Sequence, residues 1–166
     1  MPAQIDEVQF YEAPPETVFA MLADEQFIVH KSKQSGSLDV SASVDADGDE
    51  VRIHNRRVMP AKVPGFVKRF LGDTIPLDET QTWGAAAQDG TREARFSVDF
   101  DGQPLSFGGT ITLRPQNGGT AVETKGPIKC SVPLLGGRIE KFAAEWISKY
   151  LNKEQRVGAA WLADHG

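Results

Sequence analysis

Cysteine is nearly missing from this sequence: Cys130 stands alone among 166 residues. No intrachain disulfide can form, so the fold must rest on a packed core, and a reducing cytoplasm is the expected compartment. Cys130 itself reads as an inert core thiol. Long apolar runs are absent too. No stretch approaches the roughly 20 apolar residues of a membrane span, and the first residues carry no basic segment followed by an apolar one. A basic excess is lacking, since 23 acidic residues outnumber 18 basic ones for a formal charge of -5; phosphate backbones need a cationic footprint, so the charge argues against nucleic acid and none is expected as a partner. Histidine is sparse, and His30, His54 and His165 stand far apart without metal-ligand spacing. Neither a Gly-rich phosphate loop nor a nucleophile elbow occurs. No metal, no cofactor and no catalytic residue is therefore expected.

What is present is turn chemistry. Asp47-Gly48, Asp89-Gly90, Asp101-Gly102 and Asn117-Gly118 each sit between segments of alternating polarity. Such pairs tolerate the positive φ of a tight hairpin, so four of them predict an antiparallel meander. The apolar face collects Leu38, Val40, Ala42 and Val44, then Val51 and Ile53, then Ile75, Leu77, Trp83 and Ala85, then Ala94, Phe96, Val98 and Phe100. Leu105, Phe107, Ile111, Leu113, Val122 and Ile128 continue it. If every pair is a two-residue turn, opposed residues have a constant sum. One row then runs Ala42, Ile53, Trp83, Phe96, Phe107, Ile128, beside another of Val40, Asn55, Gln81, Val98 and Leu105. Symmetry about residue 68 sets Arg57 opposite Glu79 and Asn55 opposite Gln81.

Ahead of the meander, Ile5 to Glu12 reads as a strand. Pro14-Pro15-Glu16 opens a short helix, and Asp24 caps a second that carries Phe27 and Ile28 inward and ends at Gly36. After the last strand, Ile139, Phe142, Ala143, Trp146, Ile147, Tyr150 and Leu151 follow helical spacing, resumed by Trp161 and Leu162. They predict one amphipathic helix of roughly 25 residues, about 37 Å long. The chain is thus expected to form a single α+β domain over 1–166: a strand, two short helices, a six-strand meander and a long C-terminal helix covering the sheet's apolar face.

This order resembles the START-like (SRPBCC, helix-grip) superfamily of polyketide cyclases and lipid-transfer domains, and in detail an uncharacterised actinobacterial branch of it. The residues carrying the resemblance are Phe10-Tyr11-Glu12-Ala13-Pro14-Pro15-Glu16-Thr17-Val18-Phe19 and Pro133-Leu134-Leu135-Gly136-Gly137-Arg138-Ile139-Glu140. The resemblance implies a curved seven-stranded sheet gripping the helix, with a cavity between them for apolar ligands.

The expected cavity lining is aromatic and aliphatic: Trp83, Phe96, Val98 and Phe107 from strands, Phe142, Trp146 and Tyr150 from the helix. Polar residues on the same face are more informative. Asn55, Arg57, Glu79 and Gln81, with Thr124 nearby, form either a polar floor that orients a ligand's carboxylate, hydroxyl or carbonyl, or a solvated end of the sheet. Binding or transport of an apolar small molecule is the leading functional reading. A cyclase or dehydratase using Glu79 or Tyr150 as general acid or base, and a cofactorless regulatory or interaction module, are the alternatives. The connection 62–71, with Lys62, Val63, Phe66, Val67, Lys68, Arg69, Phe70 and Leu71, is basic and apolar. It is either a short helix on the core or a lid and transient membrane contact.

Overall fold

Each expected element forms where local chemistry places it. A computed structural model of the chain describes residues 3–165, except the side chains of Phe70 and Leu71, whose expected placement lies outside the described residues. Strand β1 (Ala3–Tyr11) leads into α1 (Pro15–Leu22) and α2 (Glu25–Gln34). Pro15 occupies the first turn of α1, and the Asp24 side chain caps α2 by accepting from the Gln26 N–H at 2.8 Å. The meander comprises β2 (Asp39–Asp47), β3 (Glu50–Pro60), β4 (Thr74–Trp83), β5 (Arg92–Asp99), β6 (Leu105–Gln116) and β7 (Gly119–Cys130), with α3 (Gly65–Leu71) in the long connection. Helix α4 (Gly136–His165) has 30 residues, about 45 Å at 1.5 Å per residue, somewhat longer than its apolar stripe predicts.

All strands pair antiparallel in one sheet of order β1-β7-β6-β5-β4-β3-β2. The β6–β7 register is the expected one: Phe107 faces Ile128, and Asn117 and Gly118 turn with φ of 50° and 78°. The other four meander pairs are each displaced by two residues from expectation. Asp47 pairs with Glu50, so Gly48 and Asp49, not Asp47 and Gly48, form that turn. The β3–β4 ladder is symmetric about residue 67, pairing Pro60 with Thr74. At the third turn the Gly90 N–H reaches the Ala87 carbonyl, which centres the loop one residue early. Asp101-Gly102 does make a tight turn, with Gln103 N–H donating to Phe100. Pro104 has no N–H to carry the ladder on, so pairing resumes at Asp99 and Ser106. Because every displacement is even, each side chain keeps its face. The partners change: Asn55, not Arg57, stands opposite Glu79, and Ile53, not Asn55, opposite Gln81.

The dry face is covered as the alternation requires. Ile53, Ile75, Leu77, Trp83, Phe96, Phe107, Ile128, Ile139 and Ile147 are all buried. Val40, Ala42, Val44 and Val51, at the β2 end of that face, are only half-buried, and two further residues assigned to it are exposed. Leu38 precedes β2 and is 64% exposed, and Ala85 lies in the exposed loop beyond the last β4–β5 pair, Trp83–Ala94. Backbones approach unusually closely in the middle of the β6–β7 pair. The ladder skips Gly108 and Gly109 between Phe107–Ile128 and Thr110–Lys125. A Cβ on Gly109 would sit 2.0 Å from the Lys125 carbonyl oxygen, and one on Gly126 1.9 Å from that of Gly108. Only glycine admits this approach, which lets the sheet curl round α4.

Candidate functional site

Helix α4 rests chiefly on β1, β7 and α2. A straight helix cannot follow a curved sheet along its whole width, and opposite β3, β4 and β5 a space of about 80 Å³ remains. Its walls include Trp83, Phe96, Val98 and Phe107 from the sheet and Trp146 and Tyr150 from the helix. Asn55, Arg57, Glu79 and Gln81 line it as well, so ten of the eleven residues singled out from the sequence border one space. The eleventh, Phe142, lies one helical turn earlier. It lines a neighbouring crevice between α3 and α4 with Val63, Val67 and Trp146.

The four polar residues form a ladder up the dry face. Trp83 Nε1 donates to Gln81 Oε1 at 2.9 Å, Gln81 Nε2 to Glu79 Oε2 at 2.7 Å, and Arg57 Nη1 to Glu79 Oε1 at 3.1 Å. The Arg57–Glu79 pair is diagonal across β3 and β4, a reach that long side chains span. The guanidinium also lies 5.1 Å from the centroid of the Tyr150 ring. Burial alone would raise the Glu79 carboxyl. The cations Arg57 and Lys31, with hydrogen bonds from Gln81 and Arg57, outweigh that and hold it below the ordinary carboxylate value.

A second ionic pair completes the lining. Lys31 Nζ on α2 meets Glu154 Oε2 on α4 at 2.7 Å, both side chains being 10% exposed. Gln9 of β1 donates to Glu154 Oε1 at 3.0 Å and to the Leu151 carbonyl at 2.9 Å. Burial would depress the Lys31 ammonium, but Glu154 above all, then Tyr150 and Glu79, raise it above its ordinary value. The sequence reading passed over Gln9, Lys31 and Glu154. The signal was present, since Gln9 alternates in phase with Ile5, Lys31 follows Phe27 and Ile28 by four and three residues, and Glu154 follows Tyr150 and Leu151 likewise.

Two wall atoms have no partner among the described residues: Asn55 Oδ1 and Arg57 Nε. Both residues are buried, at 4% and 7% exposure. Asn55 otherwise has only a long 3.4 Å contact from Nδ2 to Ser32 Oγ. The residues lining the space thus carry a buried, unsatisfied acceptor and donor, beside two cations matched by two carboxylates.

On the outer face, His54 contacts Asp78, which Arg56 also approaches at 3.8 Å. Among the described residues no His, Cys, Asp and Glu group is placed to hold a metal ion. No described helix is long and apolar enough to cross a membrane. In the connection, Val67 of α3 is fully buried, and Phe66 of α3 and Val63 just before it are buried in part.

The chain is similar in structure to TTHA0849 from Thermus thermophilus, with a TM-score of 0.65 and 19% identity over 99% of this chain and 100% of that one. It is also similar to human STARD10 (TM-score 0.63, 9% identity, 99% and 68% covered) and to a STAR-related lipid transfer protein from Xanthomonas axonopodis (0.57, 16%, 96% and 85%). These likenesses show the START-like fold. In sequence it is 23% identical over 131 residues to an uncharacterized protein of Mycobacterium tuberculosis, covering 78% of this chain and 75% of that one. The helix-grip architecture thus has a sequence family to go with it: residues 7–162 match the family described as protein of unknown function (DUF2505), and the chain belongs to that family.

Proposed function

We propose that the chain binds an apolar small molecule between the sheet and α4, with a neutral, hydroxyl-like head group seated on Asn55 and Arg57. The observation that carries this reading is the unpartnered pair on the wall, Asn55 Oδ1 and Arg57 Nε. Leaving a buried polar atom unsatisfied costs about 1–3 kcal/mol, and a hydroxyl supplies both the donor and the acceptor these atoms lack. Charge balance supports a neutral head over a carboxylate. Lys31 and Arg57 are already matched by Glu154 and Glu79, so an anionic head would add an uncompensated charge to a desolvated space. The fold is shared with a protein whose name records lipid transfer, which supports an apolar body for the ligand.

The space of about 80 Å³ holds a handful of waters, so a longer ligand would need it to widen, and outward movement of α3 and the first half of α4 would do this. The neighbouring crevice shares Phe100 and Trp146 with this space and is the natural direction for that movement. General acid catalysis by Glu79 has less support, since both its oxygens are engaged and its proton is held off.

Trp83 and Trp146 line the space, so their fluorescence reports occupancy. Titration with 1-octanol and with octanoate at neutral pH is expected to favour the alcohol by at least about tenfold, and Asn55→Leu to weaken alcohol binding by roughly fivefold or more. Tighter binding of octanoate, or no response to either probe, would overturn the proposal.

A further inference from the structure

The end of the molecule formed by α3 and the start of α4 differs in charge from everything else. Residues 61–73 and 129–141 contain six Lys and Arg against two Asp and Glu, whereas the remaining residues contain twelve against twenty-one. Glu140, one of those two acids, is buried and accepts from the Cys130 N–H at 2.8 Å, so it contributes little to the surface. The two segments are one surface in space. The Arg138 guanidinium lies 4.3 Å from the centroid of the Phe66 ring, and Val63 and Val67 share a crevice with Ile139 and Phe142. Lys62, Lys68, Arg69, Lys129, Arg138 and Lys141 are all exposed. Among the described residues only Lys68 has an ion-pair partner there, the exposed Asp73 at 3.4 Å.

Between Lys129 and Arg138 in the chain stands Leu134. Its side chain is fully exposed at 102%, the most exposed large apolar residue described, and its backbone sits at φ 68°, where a non-glycine residue is disfavoured. Its neighbours Val132 and Leu135 pack on the core, which fixes the loop while Leu134 points away. A strained, outward leucine in a chain segment flanked by Lys129 and Arg138 has no role in packing. Strain of this kind is a reason to look for function.

We propose that this end docks on an anionic lipid bilayer, with Leu134 entering the interface and the six cations facing acidic head groups. Both components match the requirements of interfacial binding, in which an apolar anchor adds to attraction by a negative surface. The net acidic remainder of the chain would orient the molecule by repulsion, turning this end toward the membrane. The surface borders the crevice beside the proposed ligand space, yet docking is independent of the ligand reading and can hold or fail without it.

Co-sedimentation with vesicles tests the proposal. The whole chain is expected to bind phosphatidylcholine vesicles containing about 30 mol% phosphatidylserine at low ionic strength, to bind pure phosphatidylcholine at least about tenfold more weakly, and to dissociate near 0.5 M salt. Leu134→Asp, and separately the triple change Lys62→Glu, Lys68→Glu and Arg69→Glu, should each weaken binding by about tenfold or more with unchanged circular dichroism. The triple change Arg52→Glu, Lys149→Glu and Lys153→Glu alters net charge equally at exposed sites elsewhere and should leave most binding intact. Absence of binding, equal binding to neutral vesicles, equal loss in both triple variants, or indifference to Leu134→Asp would overturn it. So would tighter binding to single-stranded RNA than to the anionic vesicles.

Discussion

Arg57 and Glu79 illustrate what a buried ion pair does at a single position. Their side chains are 6% and 18% exposed, and each is hydrogen-bonded to the other. Removing one partner strands the other, which commonly costs about 3–5 kcal/mol, with the lower end expected here because Glu79 keeps some contact with solvent. Replacing both removes charge and desolvation together. Arg57→Met and Glu79→Leu are therefore each expected to lower the urea midpoint substantially, and the double variant to lower it less than the sum of the two. Additive losses in such a double-mutant cycle would show that the pair is not coupled. These residues were legible in the sequence because a strand has a period of two, so a polar side chain in phase with Ile53, Leu77 and Trp83 must face inward. Lys31 and Glu154 were less so. A long charged residue beside an apolar helical stripe ordinarily snorkels to water, and only the meeting of α2 with α4 turns these two toward each other.

At the scale of elements, the glycine crossing of β6 and β7 is the least replaceable feature. Gly126→Ala places a methyl group against the Gly108 backbone, where no rotamer change relieves the clash. The expected loss is at least about 2–3 kcal/mol, or several degrees in Tm for a chain of this size. Gly137→Ala makes the contrasting case. It lies in the first turn of α4 with nothing within 4 Å of the new methyl, and should raise stability by roughly 0.4–1 kcal/mol. A thermal melt of the two variants checks both signs. The elements themselves could be read from turn residues and periodicity, yet the register could not, outside β6–β7. Asp-Gly pairs mark where a chain reverses without fixing which two residues are central. Pro104 and the Gly90 turn each displaced the ladder by two, an error that alternation conceals because it leaves every face unchanged.

For the molecule as a whole, the buried charges set the pH range over which the fold is stable. Glu79 is held below its ordinary value of 4.5, so the folded chain releases that proton more readily than the unfolded one. Its contribution is complete above 4.5 and is lost as pH falls through the folded value. Lys31 and Tyr11 act at the other limit. Lys31 is raised above 10.5 by Glu154, Tyr150 and Glu79 against the opposing effect of burial, and Tyr11 above 10.0 by burial and then by Glu154. In both cases the unfolded chain gives up its proton first, so their contribution is complete below about pH 10 and declines above it. Urea midpoints measured across pH should therefore show a plateau from about pH 5 to 9.5 with a fall on each side. Glu79→Gln removes one acid-sensitive proton from the balance while keeping the shape of the side chain. It is expected to lower the plateau and make the acid fall shallower, leaving the alkaline fall in place. An acid limb of undiminished slope in that variant would show that the acid response originates in groups other than Glu79.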